Sequence, residues 1–244
     1  MDITSINMII AKRDETRRDA ENFMYAPRTT VERLFPKMGL KMLFIHTPKC
    51  GGSTIGTAFG RRFRKCVSIK HPVLKGHLTW VEYRDRLIEL DTSITDFVTF
   101  SVVRNPFEWH LSWFNYLKRQ QPRKTGYAIE HDLFQKFSFS DYVYWLQDED
   151  APRTPRHDMG RQISDWTCDE NGKIVVADVL RQENLTEDLE ALRDRYGLIL
   201  QIPQKRVNAF GTGEDYRNFY TEHDVDIIAK RHKKDLELFD YSFS

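Results

Sequence analysis

The sequence KMLFIHTPKCGGSTIGTAFGRRF, residues 41–63, sets an apolar run against a glycine pair and continues with helical spacing. MLFIH (42–46) reads as a buried strand and STIGTAFGRRF (53–63) as the helix behind the loop, the strand–loop–helix turn that receives anions in α/β proteins. Gly51 and Gly52 let backbone N–H groups turn inward, Ser53 and Thr54 add hydroxyl donors, and the helix offers the positive end of its dipole. A Walker loop needs its lysine after the last glycine. Here Lys49 precedes both glycines, so the anion-binding parts are present without the ATPase order.

Outward from this turn, short apolar runs alternate with amphipathic segments. That pattern predicts an α/β, P-loop-like three-layer fold with a central, mainly parallel sheet flanked by helices. DFVTFSVVR (96–104) reads as a second core strand. The helix after it begins with Asn105 as N-cap and Pro106 at the first helical position. KIVVADVLR (173–181) reads as a further strand. In 184–197, Asn184 and Glu187 stand in capping-box spacing and Gly197 closes the helix. Residues 221–239 read as one last helix with its apolar stripe on Val225, Ile228 and Leu236. Residues 1–40 are a charge-rich peripheral arm with helical spacing from 10 to 24, and 41–244 form the domain, with an acceptor-side insertion at about 120–161.

A chain of 244 residues, 40% of them hydrophobic, can bury one substantial core. Its 37 basic and 36 acidic residues nearly cancel, so nucleic acid is not an expected partner and any anion site must be a local concentration of charge. Cys50, Cys66 and Cys168 make no disulfide framework, and no Cys/His spacing suits zinc, so no metal is expected. With neither a signal-like apolar core nor a run of roughly 18 apolar residues, the chain is expected to be soluble and cytoplasmic, without membrane insertion. Arg104 closes a strand and Ser112 lies two turns into the next helix, so both can serve one anion at the carboxyl edge of the sheet.

TPKCGGST (47–54) followed by VVRNPFEWHLSWF (102–114) resembles the paired nucleotide-binding signatures of sulfotransferases that use 3′-phosphoadenosine 5′-phosphosulfate (PAPS), especially the carbohydrate sulfotransferase branch. The resemblance implies that Lys49, Cys50, Gly51, Gly52, Ser53 and Thr54 hold the 5′-phosphosulfate, with Lys49 at the bridging oxygen of the departing group. Arg104 and Ser112 would hold the 3′-phosphate, and the product would be adenosine 3′,5′-bisphosphate. VLRQENL (179–185) and residues 215–243 are similar to late segments of the same branch. The closing RKG element of cytosolic sulfotransferases has no clear counterpart; Arg206, Asn208 and Arg217 are candidates for its place.

Thr79 and Glu82 form a capping-box pair that puts His77 in a loop at a helix mouth. KGHLTW (75–80) resembles the GHV region of heparan sulfate 2-O-sulfotransferases, which implies His77 as general base; His46, at the end of the first strand, is the runner-up for that role and is expected to support the loop. A saccharide hydroxyl is the implied acceptor. The basic, proline-bearing stretches 119–132 and 151–162 are candidates to meet it, as are Gln162 and Trp166, while Trp109, Trp113, Phe114, Tyr116, Tyr142, Tyr144 and Trp145 read as core. A nucleotide-dependent phosphotransferase and a non-catalytic nucleotide-binding module stay open as alternatives, the first weakened by the position of Lys49.

Overall fold

The computed structural model describes residues 41–60, 74, 76–119, 126–154, 158–203 and 214–244. The expected arm (1–40), its helical stretch (10–24), Cys66, Arg206 and Asn208 lie outside them. In chain order the elements are β1 (Met42–Ile45), α1 (Gly52–Phe59), α2 (Trp80–Ile88), β2 (Val98–Val103), α3 (Pro106–Arg119), α4 (Ala128–Phe134), α5 (Phe139–Gln147), β3 (Asp178–Arg181), α6 (Leu185–Tyr196), α7 (Glu222–Arg231) and α8 (Lys233–Phe239). The described residues gather into two compact units, one drawn from 41–47, 51–102 and 166–207, the other from 48–50, 103–165 and 208–244.

The first unit is the α/β part that the sequence predicts. Its three-stranded sheet has the order β1-β2-β3, with β1 and β2 parallel and Met42 opposite Val98, Ile45 opposite Ser101. Parallel neighbours need a crossover, and α1 and α2 lie in it. All of β1 and all of β2 beyond Val98 are buried, the near-continuous apolar run of a strand covered on both faces. The buried Ser101 hydroxyl donates to Ile45 O at 2.7 Å and lies 3.0 Å from Thr47 Oγ1, which fastens the point where β1 leaves for the loop. Phe59 of α1 stacks on Phe100, and Phe100 on Phe44, so α1 rests on the sheet through aromatic faces.

Two expectations are corrected here. The strand predicted over 173–181 starts only at Asp178, because the N–H groups of Val175 and Val176 are spent on Thr167 O and Ile174 makes a single antiparallel bridge to Cys168. The Asn184–Glu187 capping box does not form: Asn184 (φ −116°, ψ 30°) makes no side-chain cap, while the Asp188 carboxylate accepts from Arg181 N. Gly197 closes α6 in the left-handed region, as expected.

The second unit is helical around an aromatic core of Trp109, Trp113, Phe114, Phe134, Tyr142 and Trp145. Asn105 caps α3 by accepting from Phe107 N at 3.1 Å, and Pro106 follows at the first helical position. Tyr144, expected in the core, is half exposed and faces His223. The single helix expected over 221–239 is broken at His232 into α7 and α8. Its buried face is Asp224, Ile227, Ile228, His232, Asp235 and Phe239, so polar side chains hold places where an apolar stripe was expected. Among the described residues no helix is long and apolar enough to cross a membrane.

Candidate active site

Both glycines of the loop are demanded by space. Gly51 N-caps α1 at φ 72°, and a Cβ there would run into the Gln182 carboxamide and Leu185 Cδ2. A Cβ on Gly52 would stand 2.5 Å from His46 Cε1 and closer still to Nε2. Among the described residues no side chain caps α1 by a hydrogen bond, and no acidic side chain lies in its first turn. Ser53 is exposed and Thr54 buried. Gln182, just past β3, is 9% exposed, and its Oε1 has no hydrogen-bond partner among the described residues. Leaving such a group unsatisfied costs about 1–3 kcal/mol, which a donor on a bound ligand would recover.

The His46 ring that fills the space over Gly52 stacks on Phe44, with centroids 5.1 Å apart, and meets the His77 ring edge-on at 4.7 Å and 87°. His77 O accepts from Trp166 Nε1 at 3.0 Å. Two residues on, the predicted capping box forms, Thr79 N donating to Glu82 Oε2 at 2.7 Å and Glu82 N to Thr79 Oγ1 at 3.2 Å. The start of α2 therefore carries His77 to the His46–Gly52 side of the turn. Gln162, grouped with Trp166 in the sequence reading, instead donates to Arg231 O.

Pro48, Lys49 and Cys50 belong to the second unit and are held against α3. The Trp109 indole donates to Pro48 O at 2.7 Å, and Arg104 Nη1 donates to Lys49 O at 3.3 Å. Lys49 sits at φ 63°, a left-handed conformation that costs a non-glycine residue about 1–2 kcal/mol. Its ammonium lies 3.6 Å from the centroid of the Tyr116 ring. Burial, and then the Arg104 charge, bring the Lys49 ammonium down from the usual 10.5 to about 7, with Cys50 pulling weakly the other way. Arg104 also turns its fork onto Glu108 Oε2, at 2.9 Å through Nη2 and 3.3 Å through Nε. Cys50 is fully buried and forms no disulfide among the described residues.

Lys49 and Arg104 thus meet, as do Gly52, His46 and His77. Ser112 is half-buried one turn beyond Glu108, on the same face of α3. Tyr116, expected in the core, is half-buried against Lys49, and Glu108, expected to pack or lie at the surface, pairs with Arg104; Gln182 was not anticipated. The four-residue stride Glu108, Ser112, Tyr116 was a usable signal for the first two; nothing local marks Gln182.

The model of the sulfotransferase family matches residues 33–242. The chain belongs to that family. A search of the curated proteins and of the solved structures finds no match. The sulfotransferase is therefore a PAPS-dependent enzyme that moves a sulfuryl group to a hydroxyl-bearing acceptor, on an α/β fold. Within the first unit, a glycine turn that no Cβ could enter and a buried amide oxygen lacking its donor suit such a donor, and within the second unit Lys49 and Arg104 bring two cations together.

Proposed function

We propose that the sulfotransferase sulfates a saccharide hydroxyl, with His77 as general base and Lys49 as the cation at the leaving oxygen. The reading is carried by the placement of His77, one ring away from the His46 side chain that packs on Gly52. PAPS, when bound, supplies the activated sulfuryl group. Cys50, Gly51, Gly52, Ser53 and Thr54 hold its 5′ end through backbone N–H groups and hydroxyls, and Arg104 and Ser112 hold its 3′-phosphate. Lys49 keeps positive charge where negative charge develops. His77 accepts the proton of the acceptor hydroxyl on a ring nitrogen. The saccharide assignment is supported by the resemblance of the His77 segment to carbohydrate sulfotransferases.

Two assays on His77→Ala test this. Equilibrium binding of adenosine 3′,5′-bisphosphate stays within about twofold of the parent, because no proposed cofactor contact is touched, while sulfuryl transfer falls about a hundredfold or more. Near-normal turnover in the variant removes His77 from the mechanism.

A further inference from the structure

Tyr142 on α5, His110 on α3, His232 between α7 and α8, and Asp235 on α8 form one hydrogen-bonded row. Tyr142 Oη lies 2.7 Å from His110 Nδ1, His110 Nε2 lies 2.7 Å from His232 Nε2, and His232 Nδ1 lies 2.7 Å from Asp235 Oδ2. All four side chains are fully buried. The available donors determine the order of protons. The Tyr142 hydroxyl has His110 as its one hydrogen-bond partner among the described residues, and burial holds the phenol far above its usual range, so its proton is donated to Nδ1. His110 then carries its proton on Nε2 and donates it to His232 Nε2. His232 is left with a proton on Nδ1, which goes to Asp235. Burial pushes the Asp235 carboxyl up, but the bonds from His232, Ser164 and Ile163 outweigh it and hold the group ionised. The two imidazoles are then of opposite tautomer.

Trp109 stands beside this row, edge-on to His110 at 5.1 Å and to His232 at 5.8 Å. Its indole N–H is the donor to Pro48 O. We propose that the Tyr142–His110–His232–Asp235 row is a positioning device for sulfuryl transfer, fixing the Trp109 ring so that its N–H pins the Pro48 carbonyl and, with it, the backbone of Lys49. The inference rests on the reading of Lys49 as the leaving-group lysine. A lysine in a left-handed conformation needs outside restraint, and the carbonyls of Pro48 and Lys49 are the two groups so held, by Trp109 and Arg104. Apolar side chains could fill the same volume, but a directional row of hydrogen bonds sets the angle of each ring.

Trp109→Phe keeps an aromatic ring, deletes the donor and trims some buried volume, so its fold is checked by denaturant titration before kinetics. The expected result is a kcat about tenfold or more lower, with a smaller loss of bisphosphate affinity, because the Lys49 charge bears on both. Lys49→Ala, assayed beside it, separates the two ideas. Loss of turnover in Lys49→Ala with full kcat in Trp109→Phe overturns the positioning role alone, whereas full turnover in Lys49→Ala overturns the lysine reading and this inference with it. Independently of any variant, ¹⁵N NMR of the imidazoles should find His110 protonated on Nε2 and His232 on Nδ1. A proton on His110 Nδ1 would overturn the row as described.

Discussion

Binding of adenosine 3′,5′-bisphosphate should take up a proton above neutrality, and Lys49 supplies the reason. In the free enzyme burial and Arg104 hold the Lys49 ammonium at about 7, so raising the pH above that value empties the site of one positive charge. A phosphate beside the nitrogen favours the ammonium and restores its pKa toward the ordinary range. Between about 7 and that restored value the bound state therefore carries more protons than the free one, and affinity must fall as pH rises. From pH 7 to pH 9 the protonated fraction of a group titrating near 7 drops from about one half to about one hundredth, a loss of roughly fiftyfold, with each tenfold step worth ~1.4 kcal/mol. The ligand's own phosphates, with a second pKa near 6, are already ionised there and add little slope. The folding stability of the free enzyme moves the opposite way. A lysine lowered on folding penalises the fold fully below about 7, and the penalty fades as pH rises toward 10.5.

Isothermal titration of the bisphosphate at pH 8, in two buffers of different ionisation enthalpy, reads the proton directly: about 0.9 proton per ligand is expected. Dissociation constants from pH 7 to 9 supply the slope, and Lys49→Met should abolish both signals. A flat profile with no proton uptake in the parent would refute the reasoning. An unchanged slope in Lys49→Met would show that a different group titrates.

Arg104→Lys keeps the charge but loses the fork that reaches Glu108 and Lys49 O, so bisphosphate affinity should fall about tenfold or more while 5′-AMP, lacking the 3′-phosphate, binds as before. Equal losses for both ligands, measured by titration, would move Arg104 away from the 3′ end. Gly52→Ala drives a methyl into the His46 ring, which stacking on Phe44 prevents from yielding freely, and should destabilise the fold by about 1–3 kcal/mol in denaturant titration. Adding His46→Ala should return most of that loss; no loss in the single variant contradicts the packing.

What the sequence revealed and what it concealed divide along the range of the interactions involved. The caps at Asn105 and Thr79 and the closing Gly197 were legible because each is settled by residues a few places apart, and the Gly51–Gly52 turn because its glycine pair is local, although Gln182 and Leu185 are what crowd Gly51. The strand over 173–181 was overextended because Val175 and Val176 look like strand residues by hydropathy, while their N–H groups are claimed by Thr167 O, a contact within a turn that periodicity does not register. The buried face of 221–239 was misplaced for a different reason. Asp224, His232 and Asp235 count as polar on any scale, yet each is buried against a hydrogen-bonding residue far away in the chain: Ser140 for Asp224 Oδ2, His110 for His232, and Ile163 with Ser164 for Asp235. The same blindness hid part of the candidate site. Lys49 was recognisable as a lysine before a glycine pair, but its depressed charge depends on its burial and on Arg104, and the ring beneath it, Tyr116, is equally distant in sequence. A buried polar side chain that survives in a core is one whose partners have been brought to it, so the polar interruptions in an otherwise apolar stripe are where long-range structure announces itself. In this chain the largest such interruption, His232 with Asp235, leads by way of His110 and Trp109 to the carbonyl beside the lysine.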